Sequence, residues 1–145
     1  MARPMTAGIE IERPAAEVFE YIADFERNPL WQGGMKACRW TSEPPLRVGS
    51  TYDQQAAFLG RRIESSFVVT ALEPGASITI ETTESTFPIK VTRAVEPRGD
   101  DNCYVSATVE GGPGGVFVLL GPVMRFMVQR SVRGDYRRLK QVLEG

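Results

Sequence analysis

An α+β fold is predicted for this chain: a curved antiparallel sheet of six to seven strands around one long C-terminal helix, with two short helices after the first strand. Three observations predict it. From about Gly115 to Glu144 the apolar residues Val116, Leu119, Leu120, Val123, Met124, Met127, Val128, Val132, Tyr136, Leu139 and Leu143 recur at three- and four-residue steps, the spacing of one helical face. Roughly 28 residues of helix reach about 42 Å, too long for a crossover in a small domain and long enough to lie across a whole sheet. Upstream, apolar and polar residues alternate, which marks an antiparallel sheet with one covered and one wet face. Short turns separate these segments, so successive strands should pair as a meander.

Each element follows in order. Ala7 to Glu12 reads as a strand, with Ile9 and Ile11 on one face. Pro14 suits the first turn of a helix, and Ala15, Val18, Phe19 and Ile22 form its apolar stripe up to about Asp24. Phe25 to Asn28 makes a second helical turn, stopped by Pro29. Strands are then expected over Lys36–Thr41, Thr51–Leu59, Arg62–Leu72, Ser77–Thr83, Thr86–Glu96 and Cys103–Glu110. Gly60-Arg61 and Glu73-Pro74-Gly75 are turn signals between them. Ile63, Phe67, Val69 and Ala71 should share one face, as should Phe87, Ile89, Val91 and Val95. Gly111 to Gly115 releases the chain into the long helix. Gly121-Pro122 leaves two starts open: a helix that kinks there, or one that begins near Pro122.

Composition narrows the chemistry. The 145 residues are expected to form one domain, 1–145, with 42% hydrophobic and 24% charged residues. A net charge of −1 gives no global field to attract nucleic acid. Six Lys/Arg stand against Asp135 and Glu144 in the C-terminal segment, either as a solvated face or as a surface for an anionic membrane or partner. The chain has no histidine, which removes the commonest general base and zinc ligand. Cys38 and Cys103 lack metal-ligand spacing and read as buried free thiols. No metal or cofactor is expected. No apolar run approaches about 18 residues, so stable membrane insertion is not expected, and the N-terminus has no apolar signal core; the expected location is the cytoplasm.

The order of elements, with particular motifs, resembles the START-like or SRPBCC superfamily, the helix-grip fold, and within it the polyketide cyclase/dehydrase and lipid transport branch. The motifs are Arg13-Pro14-Ala15-Ala16-Glu17-Val18-Phe19-Glu20-Tyr21-Ile22-Ala23-Asp24, Asn28-Pro29-Leu30-Trp31, Pro45-Leu46-Arg47-Val48-Gly49-Ser50, Phe58-Leu59-Gly60-Arg61-Arg62-Ile63-Glu64, Leu72-Glu73-Pro74-Gly75 and Arg133-Gly134-Asp135-Tyr136-Arg137-Arg138-Leu139-Lys140. They span nearly the whole chain. The resemblance implies a cavity between the bent sheet and the helix that takes an apolar small molecule such as a lipid, sterol or polyketide.

Face assignment and that implied geometry together give a chamber lined by Trp31, Tyr52, Phe58, Phe67, Phe87, Met124 and Met127, with Gln54 and Arg93 as polar contacts. Trp31 is either a buried anchor for the short helices or a lid residue at the cavity mouth. Tyr52 and Gln54 orient a ligand only if their face looks inward. Arg93 interrupts an apolar series; it is either a strand-end residue reaching solvent or an inward cation that needs a paired charge or an anionic ligand group. Three functions stay open. One is a non-catalytic carrier of an apolar molecule. Another is a polyketide aromatase/cyclase, for which Tyr52, Arg93 and Gln54 are the candidate groups. The third is a regulatory or toxin-like protein acting through a partner. The expected assembly is a monomer or homodimer.

Overall fold

Seven strands and three helical segments make up the fold: β1 (Met5–Ile11), α1 (Ala15–Ala23), a 3-10 helix (Phe25–Leu30), β2 (Met35–Trp40), β3 (Thr51–Phe58), β4 (Arg61–Glu73), β5 (Ser77–Glu84), β6 (Ile89–Pro97), β7 (Cys103–Gly111) and α2 (Val116–Glu144). The structure, a computed structural model, describes residues 5–58, 60–85, 88–111 and 116–145, and of residues 58, 116–121 and 124 the backbone alone. All strands lie in one antiparallel sheet of order β1-β7-β6-β5-β4-β3-β2. From β2 to β7 it is the predicted meander; β1 closes the far edge against β7, with Met5 opposite Val109 and Ile11 opposite Cys103. The helix-grip α+β architecture read from the sequence is the one observed.

The chain must therefore cross from one edge of the sheet to the other between β1 and β2. α1 and the 3-10 helix make that crossing. Asp24 ends the first helix and caps the second, its Oδ1 accepting from the Glu26 N–H at 3.2 Å. The 3-10 helix is then tied to β2. Trp40 donates its backbone N–H to Glu26 Oε2 at 3.0 Å and its indole N–H to Asp24 Oδ1 at 3.3 Å. The turns use glycine where a left-handed conformation is needed: Gly60 has φ 77° and Gly75 φ 80°.

In β4 alternation fails beyond Val69. Ala71 was expected on the inner face with Phe67 and Val69, yet it is exposed and Leu72 packs on the core. Val69 pairs with Ile80 and Ala71 with Thr79, so Thr70 is an extra residue on β4. A bulge of one residue shifts the side-chain phase of everything beyond it.

α2 runs unbroken through Gly134 and contains Pro122 within its second turn. The earlier of the two possible starts is thus the real one, and the proline leaves one carbonyl in the preceding turn without its helical donor. The C-terminal half of α2 is fastened along β1. Lys140 Nζ donates to the Glu10 carbonyl at 2.9 Å, Arg13 Nε donates to the Leu143 carbonyl at 2.8 Å, and the Glu12 N–H donates to Glu144 Oε2 at 2.8 Å. Between helix and sheet lies the core, with Ile11, Val18, Ile22, Phe25, Trp31, Phe67, Val69, Ile78, Val105 and Leu139 buried. No helix among the described residues is long and apolar enough to cross a membrane.

Gly134 supplies a direct check on the helix. A Cβ built there meets nothing within 4 Å. Gly134→Ala should therefore stabilise the fold by about 1 kcal/mol, the helical advantage of alanine over glycine. A urea midpoint that falls instead would mean that the chain is not helical at this position.

Candidate functional site

The bent sheet and α2 do not meet along their whole length, and a cavity of about 170 Å³ remains. Tyr52 and Gln54 on β3, Phe67 on β4, Ile80 on β5, Val91 and Arg93 on β6, Ala107 and Val109 on β7 and Val128, Val132 and Tyr136 on α2 line it. Phe25, Asn28 and Gln32 close one side. The wall is mostly apolar, with a few polar groups at defined points, the usual make-up of a small-molecule site.

Arg93 is the least expected of these groups. The alternation of β6 points it inward with Val91 and Val95, and it is only 3% exposed. Its Nη1 donates to the Ile22 carbonyl at 2.8 Å and to Asn28 Oδ1 at 3.0 Å. Ile22 lies in the last turn of α1, the negative end of that helix. The guanidinium also stands over the rings of Phe25 at 4.2 Å and Trp31 at 4.8 Å, a doubled cation–π contact. Among the described residues no carboxylate forms an ion pair with it. Of the two placements open for Arg93, the strand-end residue in solvent is thereby excluded.

An aromatic cluster continues from this point. Tyr52 stacks on Phe67 at 5.0 Å and packs against Phe25 at 4.8 Å and Trp40 at 5.5 Å. Trp31 meets Tyr136 edge-on at 5.2 Å. Burial pushes the Tyr52 hydroxyl well above its ordinary range, with the charge of Arg93 opposing. Burial also raises the Tyr136 hydroxyl to about 12, again against Arg93. Both tyrosines are therefore protonated at neutral pH. The Tyr136 hydroxyl, although close to Arg93, has no partner in hydrogen-bond geometry; the same holds for Gln32 Oε1 and Trp31 Nε1, all buried. Burial lifts the Cys38 thiol to about 11, opposed by the Asn28 amide that donates to its sulfur at 3.6 Å. Cys38 is half-buried and Cys103 buried, both as free thiols.

Of the residues proposed for the chamber, Tyr52, Gln54, Phe67 and Arg93 line the cavity. Trp31 is fully buried beside it, held between Arg93 and Tyr136, and is not one of its lining residues. Met127 is half-buried and likewise not in the wall. The side chains of Phe58 and Met124, and Phe87 altogether, lie outside the described residues. Asn28, Gln32 and Tyr136 were missed. Tyr136 stood on the apolar stripe of α2, but nothing in the sequence says that its hydroxyl ends near Arg93. Among the described residues no group of three His, Cys, Asp or Glu side chains could hold a metal ion.

Comparison with known proteins agrees with the fold. The family model described as polyketide cyclase/dehydrase and lipid transport matches residues 4–144. A START superfamily protein from Mycobacterium smegmatis superposes with a TM-score of 0.82 at 14% identity, covering 99% of this chain and 98% of that one. The Zhui aromatase/cyclase from a Streptomyces species gives 0.77 at 12% identity, covering 98% and 93%. The di-domain aromatase/cyclase BexL gives 0.75 at 20% identity, covering 99% of this chain and 47% of that one. No curated protein matches significantly by sequence.

Two outcomes follow for the site. Arg93→Ala should cost about 3 kcal/mol or more, because Ile22 and Asn28 keep buried acceptors without a donor and a void opens beneath α1; urea unfolding monitored by tryptophan fluorescence measures it. Asp135 gives a pH signature. Its carboxyl is raised above the ordinary 3.8 by burial, with the Gly33 N–H, Arg138 and Arg93 opposing. The folded protein then holds this proton longer than the unfolded chain does. The group's contribution is most favourable below 3.8 and is lost as pH rises through the higher folded value. Asp135→Asn, which keeps an acceptor for the Gly33 N–H, should remove that fall from a series of Tm against pH.

Proposed function

The chain belongs to the polyketide cyclase/dehydrase and lipid transport family, and we propose that it binds a compact apolar small molecule between sheet and α2 without chemically converting it. The observation that carries this reading is the largely apolar cavity of about 170 Å³. That volume is below the roughly 300–1,000 Å³ of sites for drug-sized ligands and near that of an apolar cavity of about 150 Å³ that takes benzene. It supports a single ring or a short chain rather than a sterol or a long acyl chain. We take residues 1–145 as one domain that works in the cytoplasm, as a monomer or homodimer, without metal or cofactor.

The protonated state of Tyr52 and Tyr136 favours binding over turnover. A general base needs a pKa near the working pH, and both hydroxyls are displaced away from it. They suit a role as hydrogen-bond donors to a ligand. Burial of about 200 Å² of an apolar ring gives on the order of 5 kcal/mol. The cost of ordering reduces this, so burial alone supports an affinity in the submillimolar range or weaker.

Titration of Trp31 and Trp40 fluorescence with one-ring and two-ring aromatics, short fatty acids and a poly-ketone tests the reading. Saturable quenching by the compact ligands, with every ligand recovered unchanged by mass spectrometry, is the expected result. Conversion of the poly-ketone into a cyclised product, lost in Tyr52→Phe, would replace binding by an aromatase/cyclase function.

A further inference from the structure

Three polar groups meet at the cavity: one a buried cation with no ion pair, two with an atom that has no hydrogen-bond partner. Arg93 lines the cavity, and both of its hydrogen bonds leave from Nη1. Its guanidinium lies close to the Tyr136 hydroxyl, out of hydrogen-bond geometry. Tyr136, 2% exposed, faces the same cavity from α2 with an unpartnered hydroxyl. Gln32 Oε1, also buried and unpartnered, belongs to the same wall. A buried cation with no carboxylate in ion-pair contact and a buried hydroxyl with no acceptor are both costly. One anionic group placed between Arg93 and Tyr136 relieves both at once. A carboxylate fits the remaining donors of a guanidinium best, since two parallel N–H groups meet its two oxygens.

We propose that the ligand is a one-ring aromatic acid: its carboxylate is bound by Arg93 and Tyr136, its ring lies in the apolar part of the cavity beside Tyr52 and Phe67, and a ring hydroxyl donates to Gln32. This assignment rests on the cavity being the binding site, as argued above. Size agrees, because the cavity of about 170 Å³ holds one ring with a small substituent. Energetics agree as well, since burial of one ring gives weak affinity and the charged contact supplies the rest. The two rings that already face Arg93, Phe25 and Trp31, keep it in place when the cavity is empty.

Calorimetry and ligand-observed NMR on the full chain at neutral pH test the assignment with benzoate, its neutral isostere benzamide, and toluene. Benzoate should bind about tenfold or more tightly than benzamide, the scale of a buried charge-assisted hydrogen bond. Arg93→Met and Tyr136→Phe should each weaken benzoate and leave toluene no weaker, with near-UV circular dichroism reporting the fold. The wild-type preference decides the matter even if Arg93→Met does not fold. At least one hydroxybenzoate isomer should exceed benzoate, an advantage lost in Gln32→Leu; a flat series overturns the hydroxyl assignment. Benzamide or toluene binding as tightly as benzoate overturns recognition of the carboxylate and leaves the cavity as a site for apolar ligands. Failure of all three to bind overturns both.

Discussion

The arrangement of this protein depends on one buried cation. Arg93 enters the interior from the middle of β6 and is held by the last turn of α1, by Asn28 of the 3-10 helix and by two aromatic faces. A guanidinium stripped of water is tolerated only where acceptors and ring faces replace its solvation. Here those replacements come from both helical segments that cross between the sheet edges. The same side chain that would be costly alone thus fixes α1 and the 3-10 helix over the sheet. With them fixed, Phe25, Trp31 and Tyr52 are packed around it, and one wall of the cavity is set.

The opposite wall is set by α2, and its two halves differ. The Glu10 carbonyl, the Glu12 N–H and the Arg13 side chain hold the C-terminal half through Lys140, Glu144 and the Leu143 carbonyl, respectively. Asp135 reaches the Gly33 N–H at 2.9 Å on the other side. Tyr136, between these ties, is therefore held firmly against Trp31 and near Arg93. Further up the helix Val123 and Phe126 are exposed, Phe126 at 62%, and Arg130, Arg133 and Arg137 share the solvent side. The cavity thus lies between a sheet whose curvature is set by its pairing and a helix whose C-terminal half is fastened along β1.

Much of this was legible in the residues. The period of three and four along the last third fixed the long helix, and Gly134 did not end it. Alternation grouped Phe67 with Val69 and Val91 with Val95, and turn residues marked the β3–β4 and β4–β5 hairpins. The errors have local physical causes. At Ala71 a bulge at Thr70 reversed the phase, and bulges depend on how two strands pair, which periodicity within one strand cannot express. At Gly121-Pro122 the local rules allowed two starts, because a proline in a helix is tolerated when surrounding packing offsets the lost bond.

The amino-acid sequence by itself determined the element order, the antiparallel meander, the continuous C-terminal helix and the inward face of most strands, since each follows from periodicity and turn chemistry within a short window. The tertiary structure alone decided which partners meet. Arg93 is 71 residues from Ile22 and 65 from Asn28, and Tyr136 approaches from the far end of the chain. Whether an arginine on an alternating strand reaches water or is buried depends on groups brought there by other elements. Those groups are set by sheet order and helix docking, contacts between distant segments that no local pattern records.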